Sequence, residues 1–86
     1  IIDGAHPGME CSCDELFGPV LTVIRLKTLD EALALERNSP YGNATSVFTT
    51  SGSVARYVAD KATSGMVGVN IGVPVPREPF SFGGSK

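Results

Sequence analysis

Apolar residues along this chain follow two different spacings. Val20-Leu-Thr-Val-Ile-Arg-Leu-Lys27 is dense in β-branched and apolar residues and follows the turn signal Gly18-Pro19, which predicts a strand covered on both faces. Thr28 then stands three residues before Glu31, the spacing at which hydroxyl and carboxylate satisfy free backbone N–H groups at a helix start. A helix is expected from Leu29 to about Asn38, with Leu29, Ala32 and Leu33 at helical spacing and Leu35 broadening that face. Asp30, Glu31, Glu36 and Arg37 are assigned to solvent. Pro40 and Tyr41-Gly42-Asn43 stop the helix.

A second strand fits Thr45–Thr49 and a third Met66–Asn70. Between them Ser51 or Ser53 can cap a helix whose Val54, Tyr57, Val58 and Ala62 share a face, with Gly65 suited to a left-handed position past its end. The order is therefore strand, helix, strand, helix, strand, with crossovers long enough for parallel pairing. The fold class expected is α/β, a three-stranded parallel β-α-β-α-β piece of an open twisted sheet. Residues 71–86 differ in character. Pro74, Pro76 and Pro79 remove backbone donors and Gly72, Gly83 and Gly84 loosen the chain, so an extended irregular loop is expected there.

Composition narrows the possibilities. At 86 residues, 42% hydrophobic and 19% charged, the chain is globular in character but at the small end of the domain range. Seven basic and nine acidic side chains are dispersed, with no basic run to follow a phosphate backbone, so nucleic acid is not an expected partner. No apolar stretch reaches the roughly 20 residues of a membrane span, and the opening Ile-Ile-Asp-Gly has none of the marks of a signal peptide. A soluble protein with no membrane partner is expected. Cys11 and Cys13 are too close in sequence to staple distant parts of a fold, which favours a reducing compartment. With only His6 nearby they also leave a zinc site incomplete, so no metal is expected. The chain opens without Met and stops after a Gly pair with no closing element, and both ends are expected to be cuts through a longer protein.

Particular residues carry the reading further. Glu15-Leu16-Phe17-Gly18-Pro19-Val20 matches the Glu-x-Phe-Gly-Pro-Val stretch of aldehyde dehydrogenases. Asn38-Ser39-Pro40-Tyr41-Gly42, Val47-Phe48-Thr49, Gly68-Val69-Asn70 and Pro79–Gly84 follow in that family's order, so the resemblance runs over nearly the whole chain. Asn70-Ile-Gly-Val-Pro-Val-Pro-Arg-Glu-Pro-Phe-Ser-Phe-Gly-Gly84, a proline-rich loop before Phe-Ser-Phe, resembles the CoA-acylating methylmalonate-semialdehyde branch.

The resemblance implies the C-terminal part of a catalytic domain, with residues 1–19 as a cofactor-contact loop, 20–70 as the βαβαβ unit and 71–86 as a substrate-side loop. The implied reaction is NAD-dependent oxidation of a semialdehyde: a cysteine thiolate attacks the carbonyl, hydride leaves to NAD, and CoA takes the acyl group from the thioester. Glu15 carries over as acceptor for the nicotinamide ribose hydroxyls and Phe17 as the apolar wall beside that ribose. Asn70 lies at the strand end where α/β sheets place ligands, though an Asn there equally caps a turn. Phe80 and Phe82 carry over as walls of the aldehyde tunnel, with packing against a missing segment the competing role.

Nucleophilic cysteine, general-base glutamate and glycine-rich cofactor turn are not in this stretch. No catalytic residue is assigned, and the chain in isolation is expected to be inactive. The partners implied are the rest of the parent chain, a semialdehyde and further copies in a homotetramer, in the cytoplasm or, in a eukaryote, the mitochondrial matrix. Two other readings remain open: a non-catalytic interaction module derived from the family, and a small redox or metal module on Cys11 and Cys13.

Overall fold

A computed structural model describes all residues, 1–86. The chain divides into two compact units, Ile1–Leu35 and Glu36–Lys86. In the first unit, strand β1 (Ile2–Ala5) leads through the single-turn helix α1 (Glu10–Cys13) to strand β2 (Thr22–Ile24). The two strands pair in parallel, Ile2 opposite Thr22 and Asp3 opposite Val23. The register slips between Asp3 and Ala5, where Gly4 takes a left-handed φ of 75°. Asp3 and Arg25 close this sheet with an ion pair at 2.7 Å. The Asp3 carboxyl is held below its ordinary value by that guanidinium and by the Gly4 N–H.

Helix α2 (Leu29–Asn38) begins as the sequence predicts. The Glu31 N–H donates to Thr28 Oγ1 at 3.2 Å, while the Glu31 carboxylate accepts from the N–H groups of Lys27 and Thr28. Leu33 is buried and Ala32, expected beside it, is exposed.

The second unit holds strand β3 (Ala44–Val47), helix α3 (Gly52–Lys61) and strand β4 (Met66–Val69), with β3 and β4 parallel and in continuous register from Ala44 opposite Met66 to Val47 opposite Val69. Ser51 caps α3 by accepting from the Val54 N–H at 3.3 Å, and Ser53 donates to or accepts from Ser51 rather than capping. Val58 of α3 is 3% exposed, and α3 lies against β4. Residues 71–86 form the extended segment expected, broken by a turn at Arg77–Phe80.

Three expectations need correction. β2 pairs with β1 and β3 with β4, giving two parallel sheets of two strands in place of one sheet of three. The expected strands are shorter: Val20–Lys27 narrows to Thr22–Ile24, Thr45–Thr49 moves to Ala44–Val47 and Met66–Asn70 stops at Val69. Val20 turns back to the Gly18 carbonyl, and Leu21 contributes only its carbonyl, to the Ile2 N–H. Gly65 does not take a left-handed conformation. Helix α3 ends at Lys61 with Ala62 extended, and Gly65 is required for a different reason, because a Cβ there would meet the Gly83 backbone carbonyl.

Candidate functional site

The loop between α1 and β2 is fastened at both ends. Thr22 Oγ1 donates to the Cys11 carbonyl and the Cys13 thiol donates to the Pro7 carbonyl, each at 2.8 Å, while the Asp14 N–H closes α1 on Glu10. Both thiols are free, so Cys11 and Cys13 serve here as part of this anchor. No group of three or more His, Cys, Asp or Glu side chains stands close enough to hold a metal ion.

From the anchored loop two side chains are presented without protein partners. Glu15 is exposed and forms no hydrogen bond, and Phe17 is 95% exposed, flanked by half-open Leu16 and Val20. Both sit before the Gly18–Val20 turn, a position from which a free carboxylate can take two hydroxyl donors and a neighbouring ring can lie against a sugar face. The pair offers an open hydrogen-bond acceptor and an open apolar face two residues apart.

In the second unit, Asn70 is the residue whose role the structure resolves most clearly. Its φ is 55°, a left-handed conformation that Asn tolerates better than most residues. Its side-chain oxygen accepts from the Thr49 N–H at 2.9 Å, its amide donates to the Thr49 carbonyl at 3.0 Å, and its own N–H donates to Val47. Asn70 thus extends the β3–β4 ladder by one rung in side-chain form. Phe80 and Phe82 follow on the exposed segment, 76% and 72% open, together with Val73 and Val75. The Phe80 N–H bonds the Arg77 carbonyl at 2.8 Å, and Arg77 is exposed.

One residue assigned to solvent is not free. Glu36 receives the Thr63 N–H at 3.1 Å, the Thr63 hydroxyl at 3.1 and 3.2 Å and the Ser64 hydroxyl at 2.7 Å, and Ser64 also bonds Thr45. Burial pushes its carboxyl up, but the donors from Ser64 and Thr63 and the Lys86 charge outweigh it, leaving the group below its ordinary value. The signal was in the helical spacing: Glu36 follows Leu29 by seven residues and Leu33 by three, which places it on the apolar face. A cavity of about 360 Å³ opens beside it, bordered by Ser39, Tyr41, Asn43 and Thr45. With its oxygens committed to Thr63 and Ser64, Glu36 organises structure and is not available as an acid or base.

Comparison with known proteins gives a consistent pattern. The model of the aldehyde dehydrogenase family matches residues 1–86. A human mitochondrial methylmalonate-semialdehyde/malonate-semialdehyde dehydrogenase (acylating) is 50% identical over all 86 residues, and malonate-semialdehyde dehydrogenase 1 of Bacillus licheniformis is 43% identical. The chain spans 16% and 18% of their lengths. Among solved structures, a protein assigned as a methylmalonate-semialdehyde dehydrogenase from Sinorhizobium meliloti, complexed with NAD, superposes with a TM-score of 0.90 at 44% identity. The alignment covers 95% of this chain and 17% of that one. The methylmalonate-semialdehyde dehydrogenase of Oceanimonas doudoroffii gives 0.91 at 46% identity, with the same coverages.

Proposed function

Because this chain belongs to the aldehyde dehydrogenase family, we propose that it is the C-terminal part of the catalytic domain of an NAD-dependent, CoA-acylating dehydrogenase. Its substrates are malonate and methylmalonate semialdehyde. The observation that carries the reading is identity near one half over all 86 residues with acylating semialdehyde dehydrogenases.

Within that enzyme residues 1–19 supply the cofactor contact. Glu15 holds the nicotinamide ribose through two hydroxyl donors and Phe17 limits where the ring can lie, both from a loop whose ends are tied to α1 and β2. NAD, when bound, supplies the hydride acceptor. Residues 71–86 line the substrate side, where Phe80 and Phe82 exclude water that competes with CoA for the thioester. Asn70 holds the start of that segment to Thr49 and does not contact substrate. The reactive cysteine comes from elsewhere in the parent chain, so residues 1–86 alone are inactive.

The exposed apolar side chains support the reading. Phe17, Phe48, Val73, Phe80 and Phe82 are all more than two-thirds open, while only Ala5, Leu33 and Val58 are buried among the hydrophobic residues. Such a balance suits a segment whose apolar surface is completed by the remainder of a larger chain, in an enzyme that assembles as a homo-oligomer. A mitochondrial human relative and a relative from Bacillus licheniformis support the mitochondrial matrix as the location in a eukaryote and the cytoplasm in a bacterium.

The test is turnover by the purified full-length parent with malonate and methylmalonate semialdehyde and NAD, with and without CoA. NADH and the acyl-CoA ester should form together, and the isolated segment should form neither. Free acid produced at a rate indifferent to CoA would remove the acylating assignment. Absence of NADH with either semialdehyde would remove the whole.

A further inference from the structure

Helix α2 ends in open carbonyls, as every helix does, and Pro40 two residues on prevents a further turn from covering them. Residue 86, nearly fifty positions later, covers them. The Lys86 ammonium donates to the carbonyls of Glu36 at 2.5 Å, Arg37 at 3.0 Å and Ser39 at 3.2 Å, which uses all three of its N–H groups. A cation at a helix C-terminus is also favoured by the partial negative charge there.

The residues just before Lys86 dock with it. The Ser85 N–H reaches the Gly42 carbonyl at 3.4 Å, and the Ser85 hydroxyl donates to the Thr63 carbonyl. Gly83 lies so close to Gly65, and Gly84 to Gly42, that neither Gly65 nor Gly84 has room for a Cβ without a shift in its neighbour. Gly42 is needed for the Lys86 stem itself, since a Cβ at 42 would stand 2.9 Å from Lys86 Cγ. At the other end of the segment Ser46 donates to the Gly72 carbonyl at 2.5 Å. Residues 73–82, with Phe80 and Phe82 at their far end, therefore span between two fixed points, and the nearer one to the aromatic pair is fastened by Lys86.

We infer that Lys86 is a positioning residue for the substrate-side segment: it pins residues 83–86 to the end of α2 and so holds Phe80 and Phe82 where the aldehyde passes. The inference rests on the proposed substrate-side role of residues 71–86. Lys86 touches no substrate. Its contribution is the ordering entropy already removed from the segment before the aldehyde arrives.

The experiment uses the full-length enzyme with Lys86→Met, which keeps an apolar stem and removes the charge, and with Lys86→Arg and Gly42→Ala. Lys86→Met should raise the semialdehyde KM about tenfold, well short of what three buried charge-assisted hydrogen bonds would carry because all three are open to solvent, while NAD affinity is unchanged. Tryptic cleavage at Arg77-Glu78 should be faster. Lys86→Arg should restore most of the KM, and Gly42→Ala should reproduce its rise by displacing the lysine stem. An unchanged KM with faster cleavage would mean that Lys86 stabilises the segment without positioning it, and the inference fails. Unchanged cleavage would show that nothing is fastened there. A wild-type enzyme without semialdehyde turnover removes the functional reading and the positioning role with it, while cleavage still reports whether the fastening exists.

Discussion

Replacing Glu36 with Gln tests whether a half-buried carboxylate organises the second unit. The native side chain accepts three donor groups: the Thr63 N–H, the Thr63 hydroxyl and the Ser64 hydroxyl. A hydrogen bond to a charged group contributes roughly 1.5–3 kcal/mol when buried, but this site is partly open and water can replace part of each bond. Gln keeps one acceptor oxygen and turns its NH2 toward donors, so a local cost of about 1 kcal/mol is expected, and about 2–3 kcal/mol for Glu36→Ala.

Amide hydrogen exchange at residues 62–65 of the full-length protein reads this local opening without requiring two-state unfolding of the whole. Exchange there should be about fivefold faster in Glu36→Gln than in wild type at pH 7, the factor that 1 kcal/mol implies. The pH dependence has a definite sign. The folded carboxyl lies below its ordinary value of 4.5, so its stabilising effect is complete above that pH and is lost as pH falls through the folded value. The ratio of the two exchange rates should therefore hold from pH 7 to about 5 and fall toward one at lower pH. A ratio of one at pH 7, or one that stays constant into acid, would refute the reasoning.

Glu15→Gln in the full-length enzyme should weaken NAD binding and slow hydride transfer while leaving the melting temperature unchanged, since Glu15 makes no bond within the fold; steady-state kinetics and a thermal melt check both halves. Gly65→Ala should destabilise by about 1–3 kcal/mol, because the neighbour met is the Gly83 backbone, which cannot swing away as a side chain could; exchange protection across residues 63–66 and 83–85 reports it. Asn70→Ala should loosen the segment around Thr49, just past β3, by about 2 kcal/mol through two lost hydrogen bonds and a left-handed alanine. Asn70→Gly should cost less, since only the hydrogen bonds are lost; comparing exchange at residues 48–50 in the two variants separates the causes.

The elements readable from sequence were those with local chemistry at their ends. Thr28 with Glu31 and Ser51 with Val54 marked two helix starts because the capping groups lie within one turn. β1 escaped because Asp3-Gly4 reads as a turn, and only its pairing with β2, about twenty residues away, makes it a strand. α1 escaped because it is a single turn capped by Met9, which offers no side-chain acceptor. Parallel partners are likewise unmarked in the apolar pattern, so three strands were placed in one row where the chain pairs β1 with β2 and β3 with β4. At the candidate sites, Glu15, Phe17, Phe80 and Phe82 came from motif resemblance. Helical spacing put Glu36 on the apolar face, but its partners Thr63 and Ser64, like the carbonyls that hold Lys86, lie far away in sequence where no local pattern names them.

The most direct measurement is a structure of the full-length parent with NAD bound. The Glu15 carboxylate should lie within hydrogen-bond distance of both hydroxyls of the nicotinamide ribose, with the Phe17 ring against that sugar. A bound cofactor whose ribose is held by other groups, while Glu15 faces solvent, would contradict the account at its root.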